Sequence, residues 1–77
     1  MLHELWVDCD GRDTLCLAGP MGDEARAMLE QPAELVWTVE AGSHFEAMTL
    51  YYEFRGLGRY TTDQTWDQES YRDHGWE

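Results

Sequence analysis

Hydrophobic and polar residues alternate near the start of the chain, where residues 5 to 17 read LWVDCDGRDTLCL. Apolar side chains fill every second position on both sides of the turn dipeptide Asp10-Gly11; they are Leu5, Val7, Cys9, Leu15 and Leu17. Such alternation around Asp-Gly predicts a β-hairpin. A loop from Asp10 to Arg12 would place the odd-numbered side chains of both strands on one face. Trp6 and Cys16 would then lie on the opposite face, which we expect to be partly covered as well.

The pattern changes to helical spacing in residues 19 to 32, GPMGDEARAMLEQP, and returns to alternation in residues 34 to 41, ELVWTVEA. Asp23 and Glu24 stand where a helix N-terminus favours negative charge, so the first segment predicts a short helix. The second segment is rich in β-branched and aromatic residues, which predicts a third strand.

Residues 44 to 55, HFEAMTLYYEFR, fit two patterns. Met48, Leu50, Tyr52 and Phe54 alternate as in a strand. Ser43 and Glu46, however, form the S-x-x-E capping box that begins a helix, and Gly56 stands where a helix would end. Signals for both ends of a helix are present, whereas only the alternation favours a strand, so we predict a second helix. Its apolar residues form two stripes, more than one sheet face can cover.

These elements predict an α+β fold in the order β-β-α-β-α, with a three-stranded antiparallel sheet and two helices on one of its faces. We expect a single domain over residues 1 to 60 and a C-terminal strap of the same domain over residues 61 to 77. The predicted core consists of Leu5, Val7, Leu15, Leu17, Met28, Leu29, Leu35, Trp37, Val39, Met48, Leu50, Tyr51 and Phe54.

The strap ends in DQTWDQESYRDHGWE, residues 63 to 77, in which Trp66, Tyr71 and Trp76 recur every five positions. A spacing of five matches neither a helix face nor a strand face, so we predict an irregular segment. Leaving these rings and Tyr60 in water would expose a large apolar area on so small a protein, so we expect the strap to pack on the second helix or on the far sheet face. A mobile tail is the competing interpretation.

The excess of acidic residues makes some classes of binding partner unfavourable. The 77 residues include sixteen acidic and five basic side chains, which gives a formal net charge of −11. Nucleic acid and anionic membrane surfaces are therefore unfavourable partners. The charge favours a basic protein partner, a cation or simple solubility. Lys, Ile and Asn are absent, which indicates a GC-rich, bacterial genome, and no N-terminal signal pattern is present, so we expect a cytoplasmic protein.

Metal-site spacings do not match. Cys9 and Cys16 have no close cysteine or histidine pairing of the kind zinc sites use, and we expect reduced thiols. Alternating oxygen side chains from Asp63 onward resemble the start of a calcium loop, but Gln68 stands where that loop needs glycine. His74 stands where it needs glutamate. Crowded carboxylates would bind divalent cations only weakly.

The run EAGSHFEAMTLYYEFRGLGRY, residues 40 to 60, resembles a pattern in small uncharacterised bacterial proteins. Its shared form is A-x-S-x-x-E-A-M-x-L-Y-Y-E followed by glycine and tyrosine. The resemblance covers about a quarter of the chain and implies no activity. It implies a bacterial protein with a helix in this segment.

Catalytic motifs are missing from the sequence. Neither Ser43 nor Ser70 lies in G-x-S-x-G, and no glycine motif is suited to phosphate, so we expect no cofactor. We predict a non-enzymatic protein-interaction module that binds a basic partner through the strap. The predicted contact residues are Asp63, Trp66, Asp67, Glu69, Tyr71 and Asp73. The alternative is a small enzyme or a weak divalent-cation binder that uses His44, His74 and the strap carboxylates.

Overall fold

A computed structural model describes all 77 residues and confirms the α+β class with the order β-β-α-β-α. The elements are β1 (Leu2–Val7), β2 (Asp13–Leu17), α1 (Asp23–Ala27), β3 (Glu34–Glu40), α2 (His44–Arg55) and a further short helix, α3 (Thr65–Gln68). Contacts divide the chain into two units. We call Leu2–Val39 the sheet unit, and Met1 together with Glu40–Glu77 the helical unit.

The three strands form an antiparallel sheet in the order β2-β1-β3. Leu5 pairs with Leu15, so the odd-numbered residues of both hairpin strands share a face as predicted. The predicted loop was wrong by two residues, because Asp13 pairs with Val7 and not with Cys9. The Asp8 side chain explains the change: its Oδ1 accepts hydrogen bonds from the backbone N–H of Asp10 (2.9 Å) and of Arg12 (3.0 Å) and closes a wider turn. A shift of two leaves the faces unchanged.

Helix α1 lies against the second face of the hairpin, the face that carries Cys16 and Glu4. Arg26 donates to Glu4 Oε1 (3.0 Å) and to the Leu17 carbonyl (2.9 Å). A 3-10 turn over Pro20–Gly22 leads into the helix. Gly22 is required there, since a Cβ at this position would lie 1.8 Å from the Leu17 carbonyl oxygen. The expectation that this face is partly covered is therefore confirmed.

Burial in the sheet unit departs from the predicted core. Leu5 is fully buried, as predicted. His3 and Cys16 are also buried, although neither was in the predicted core. Met28 is 84% exposed and Leu35 is 45% exposed, so their assignment to the core was wrong. Helix α1 has only five residues and Met28 is its C-cap, so the helical pattern used to place Met28 extends beyond the helix.

Helix α2 begins and ends at the predicted signals. Ser43 Oγ accepts a hydrogen bond from Glu46 N at 3.0 Å, and Glu46 Oε1 accepts one from Gly42 N at 2.7 Å. At the other end Gly56 is left-handed, with φ of 68°. The N–H groups of Gly56 and Leu57 return to the carbonyls of Glu53 and Tyr52, which is the Schellman arrangement. The helical interpretation of residues 44 to 55 is confirmed, and the strand interpretation is wrong.

The helices are short. The longest of them, α2, has 12 residues, and none combines the length and the apolar character needed to cross a membrane.

Candidate functional site

The strap is attached to the N-terminal end of α2 by its backbone. Tyr71 N donates to the Gly42 carbonyl at 2.7 Å, and Ser43 and Ser70 form an antiparallel bridge. Helix α3 also contacts α2. Part of the strap is therefore regular, which the five-residue spacing did not predict, and it folds against the helix as expected.

A buried carboxylate lies between the strap and α2. Asp67, on α3, is only 2% exposed. Its Oδ2 accepts the hydroxyl of Tyr60 at 2.9 Å, and its Oδ1 contacts Nδ1 of His44, the first residue of α2. A carboxylate can only accept, so the proton between these two groups lies on Nδ1. Burial of the charge is compensated by two donors from outside α3.

Tyr60 also covers one of the two apolar stripes of α2, the one formed by Phe45, Met48 and Tyr52. Its ring makes edge contacts with Phe45 at 5.6 Å and with Tyr52 at 5.3 Å between centroids. Burial together with the hydrogen bond to Asp67 raises the pKa of the Tyr60 hydroxyl. The residues after α2 thus cover the stripe that a sheet face could not, as the two-stripe pattern predicted. Phe54, on the other stripe, is 46% exposed and was wrongly placed in the core.

Tyr71 is the most deeply buried ring of the strap, with 3% of its surface exposed. Burial, with the nearby charges of Asp67 and Glu77, raises the pKa of Tyr71 to about 12. The ring stacks on Trp76 with centroids 5.6 Å apart. The buried Tyr71 ring therefore fixes the position of the Trp76 ring.

Two tryptophans of the strap remain half in solvent: Trp66 is 54% exposed and Trp76 is 48% exposed. Trp66 stacks on His44 at 5.9 Å. His74 connects the two tryptophans, since its Nε2 lies 3.0 Å from the Trp66 carbonyl oxygen and its ring lies 5.2 Å from that of Trp76. Glu69 approaches the same histidine, with Oε2 3.8 Å from Nδ1.

We call the two tryptophans and the exposed acids beside them along the strap the aromatic–acidic surface; it consists of Trp66, Trp76, Asp63, Glu69 and Asp73. Four of the six predicted contact residues are exposed members of this surface. The other two, Asp67 and Tyr71, are buried. Asp67 positions His44, on which Trp66 stacks, and Tyr71 positions Trp76. Trp76 was not among the predicted contact residues. We include it in the surface because its side chain is half exposed.

The histidine and carboxylate geometry has a second chemical interpretation. A buried aspartate that holds Nδ1 of a histidine fixes the tautomer and leaves Nε2 as the basic nitrogen. The His44 side chain is 42% exposed. No group of three or more His, Cys, Asp or Glu side chains is placed to hold a metal ion.

Neither the protein-family models, nor the curated proteins, nor the solved structures contain a match to this chain. The resemblance of residues 40 to 60 to small bacterial proteins therefore stays a prediction.

Sequence reasoning missed the His44–Asp67–Tyr60 network. Its members lie far apart along the chain: Asp67 is 23 residues from His44 and 7 from Tyr60. A weak signal was present, because His44 follows the N-cap of α2 and Asp67 stands between aromatic residues in a segment that had to pack.

Proposed function

We propose that this acidic protein is a non-enzymatic interaction module of the bacterial cytoplasm, and that it binds a basic protein through the aromatic–acidic surface. The observation that carries the proposal is the pair of half-exposed tryptophans, Trp66 and Trp76. Trp76 stacks on the buried Tyr71, and Trp66 stacks on His44, which the buried Asp67 contacts. Tryptophan is one of the residue types that most often dominate the binding energy of an interface.

Charge complementarity supports a basic partner. The formal net charge is −11, and the exposed acids of the strap contribute to it beside the tryptophans. Opposite charge on a partner would speed encounter, while nucleic acid would be repelled. Arginine or lysine side chains can also lie over tryptophan faces, which combines both features of the surface in one contact.

Rigidity supports binding as well. His44 stacks on Trp66 and is held by Asp67, and Trp76 stacks on Tyr71, so both rings are placed by side chains that are themselves fixed. A preformed contact loses less conformational entropy on association than a flexible tail would.

The test is capture of basic proteins from a bacterial lysate, followed by association and dissociation rates for the captured partner. A variant with Asp63→Asn, Glu69→Gln and Asp73→Asn should slow association, and added salt should reduce the difference. Trp66→Ala should speed dissociation by about tenfold or more. The control is Glu24→Gln with Glu30→Gln, which removes two exposed acids from the sheet unit and should slow association less for each charge removed.

A partner that is acidic would contradict the proposal. So would a partner that binds the Trp66→Ala and charge-reduced variants as well as it binds the unaltered protein.

The second candidate is acid–base catalysis by His44, and the Asp67–Nδ1 contact is the observation that favours it. In that case Nε2 would accept a proton from a substrate hydroxyl or a water molecule. Replacing His44 by Gln would abolish turnover of any substrate found. Binding of a basic partner would change only through the loss of the His44 ring beneath Trp66.

A further inference from the structure

Strand β3 is an edge of the sheet, because β1 lies between it and β2. One side of its backbone is therefore hydrogen-bonded within the sheet, and the other side is an open row of N–H and C=O groups. The strand is seven residues long, which is sufficient to template a further strand.

The side chains of β3 leave this edge accessible. Five of its seven residues are exposed. Leu35 is 45% exposed and Val36 is 42% exposed. These two neighbours point to opposite faces of the sheet, so neither face is closed over this half of the strand. The strand contains no proline or lysine, the residues that most often block edge pairing.

Charge disfavours a second copy of the chain as the occupant. The sequence of β3, ELVWTVE, has glutamate at both ends and no basic residue. Antiparallel pairing of two such strands about Trp37 would set Glu34 of one copy against Glu40 of the other at both ends. Like charges placed opposite each other destabilise a strand pair, and the formal net charge of −11 on each copy adds to the repulsion.

A cavity of about 380 Å³ lies where β3 begins, and it offers a place for a cationic side chain. Its walls include Val7, Cys9 and Pro32, and its acidic groups are Asp8 and Glu34. Asp8 is already engaged by backbone N–H groups of the hairpin loop. The Glu34 carboxylate is therefore the group available to pair with an arginine or lysine.

From this edge, its charge and its cavity, we infer that β3 binds an extended basic segment of a partner protein as an added strand. Main-chain hydrogen bonds hold the segment along residues 34 to 39, and alternate apolar side chains cover Leu35 or Val36. A terminal arginine or lysine enters the cavity and pairs with Glu34. The inference concerns the sheet unit alone and does not depend on the aromatic–acidic surface of the helical unit.

The test titrates the full chain with a capped peptide, Arg-Val-Thr-Val-Thr-Val-Arg, and follows backbone amides by NMR and hydrogen exchange. The expected result is binding with new protection of amides in residues 34 to 39, while the indole resonance of Trp66 stays unchanged. Two control peptides separate the causes. One replaces both arginines by glutamate, and the other carries N-methyl groups on alternate residues, which block main-chain pairing without changing charge.

The acidic peptide should not bind detectably, and the N-methylated peptide should bind at least about tenfold more weakly, because several main-chain hydrogen bonds are lost. Glu34→Gln should weaken binding of the basic peptide about two- to fivefold. Glu24→Gln, which removes an exposed acid from α1, should have a smaller effect.

Several results would overturn the inference: equal binding of the N-methylated peptide, equal binding of the acidic peptide, or protection confined to residues outside β3. Sedimentation that shows self-association through β3 at low micromolar concentration would overturn it as well. None of these outcomes bears on the tryptophans of the helical unit, so failure here leaves the proposed function standing.

Discussion

Removing the carboxylate of Asp67 should destabilise the protein by about 2–3 kcal/mol, because this side chain fastens the strap to α2. Asp67 is 2% exposed and accepts hydrogen bonds from the Tyr60 hydroxyl and from His44 Nδ1. A hydrogen bond to a charged group contributes roughly 1.5–3 kcal/mol. Two such bonds sum to about 3–6 kcal/mol. The His44 side chain is 42% exposed, so water can replace part of its bond, which places the expected loss at or just below the lower end of that sum.

The assay is urea unfolding followed by tryptophan fluorescence. Asp67→Ala should show the full loss, and Asp67→Asn a loss of about 1 kcal/mol, since the amide oxygen still accepts from Tyr60. Tyr60→Phe should lose about 1 kcal/mol, and the double variant with Asp67→Ala should be less destabilised than the sum of the two single changes. Asp63→Ala, which alters an exposed acid of the same segment, is the control and should stay within about 0.5 kcal/mol.

Equal stability of Asp67→Ala and Asp63→Ala would refute this reasoning. It would show that the cost of burying the Asp67 charge cancels the two hydrogen bonds, which is a known outcome for buried ion pairs. The strap would then be held by its rings and backbone bonds alone.

Two further predictions concern the same unit. The pKa of Tyr71 is raised to about 12, so above the ordinary value near 10 the unfolded state loses a proton that the folded state keeps. Stability should fall between about pH 10 and pH 12 by about 2–3 kcal/mol, and Tyr71→Phe, measured by urea unfolding across this range, should show a smaller fall; an equal fall would contradict it. Gly56→Ala should cost about 1 kcal/mol because φ at this position is 68°, whereas Gly42→Ala, with no atom closer than 3.9 Å to the added Cβ, should be nearly neutral; thermal unfolding of the pair compares them.

The local signals in the sequence were sufficient for the three strands and for α1 and α2, but not for the short helix α3. The cap at Ser43 and the left-handed Gly56 define α2, and both are set by neighbouring residues. The faces of the hairpin followed from alternation, even though the side chain of Asp8 moved the loop by two residues. Caps and alternation act over a few positions, so a single sequence is enough to read them.

Burial was harder to predict because it depends on partners distant along the chain. Hydrophobicity alone placed Met28 in the core and Asp67 on the surface, and the structure reverses both: Met28 is 84% exposed and Asp67 is 2% exposed. A carboxylate becomes buried only when donors reach it from elsewhere, and nothing near Asp67 in the sequence specifies Tyr60 and His44. The sequence therefore placed the candidate surface in the strap, while the division between buried and exposed residues of that segment needed the structure.

The most direct test of the account is an NMR titration of the full chain with a captured basic partner, in which the tryptophan indole resonances are followed. Trp66 and Trp76 are half exposed on the aromatic–acidic surface, so both indole signals should move on binding at low salt. The signal of Trp6, whose indole donates to Glu4 at 3.2 Å in the sheet unit, should stay in place. Unchanged Trp66 and Trp76 signals with a saturated partner would contradict the central claim that these rings form the binding surface.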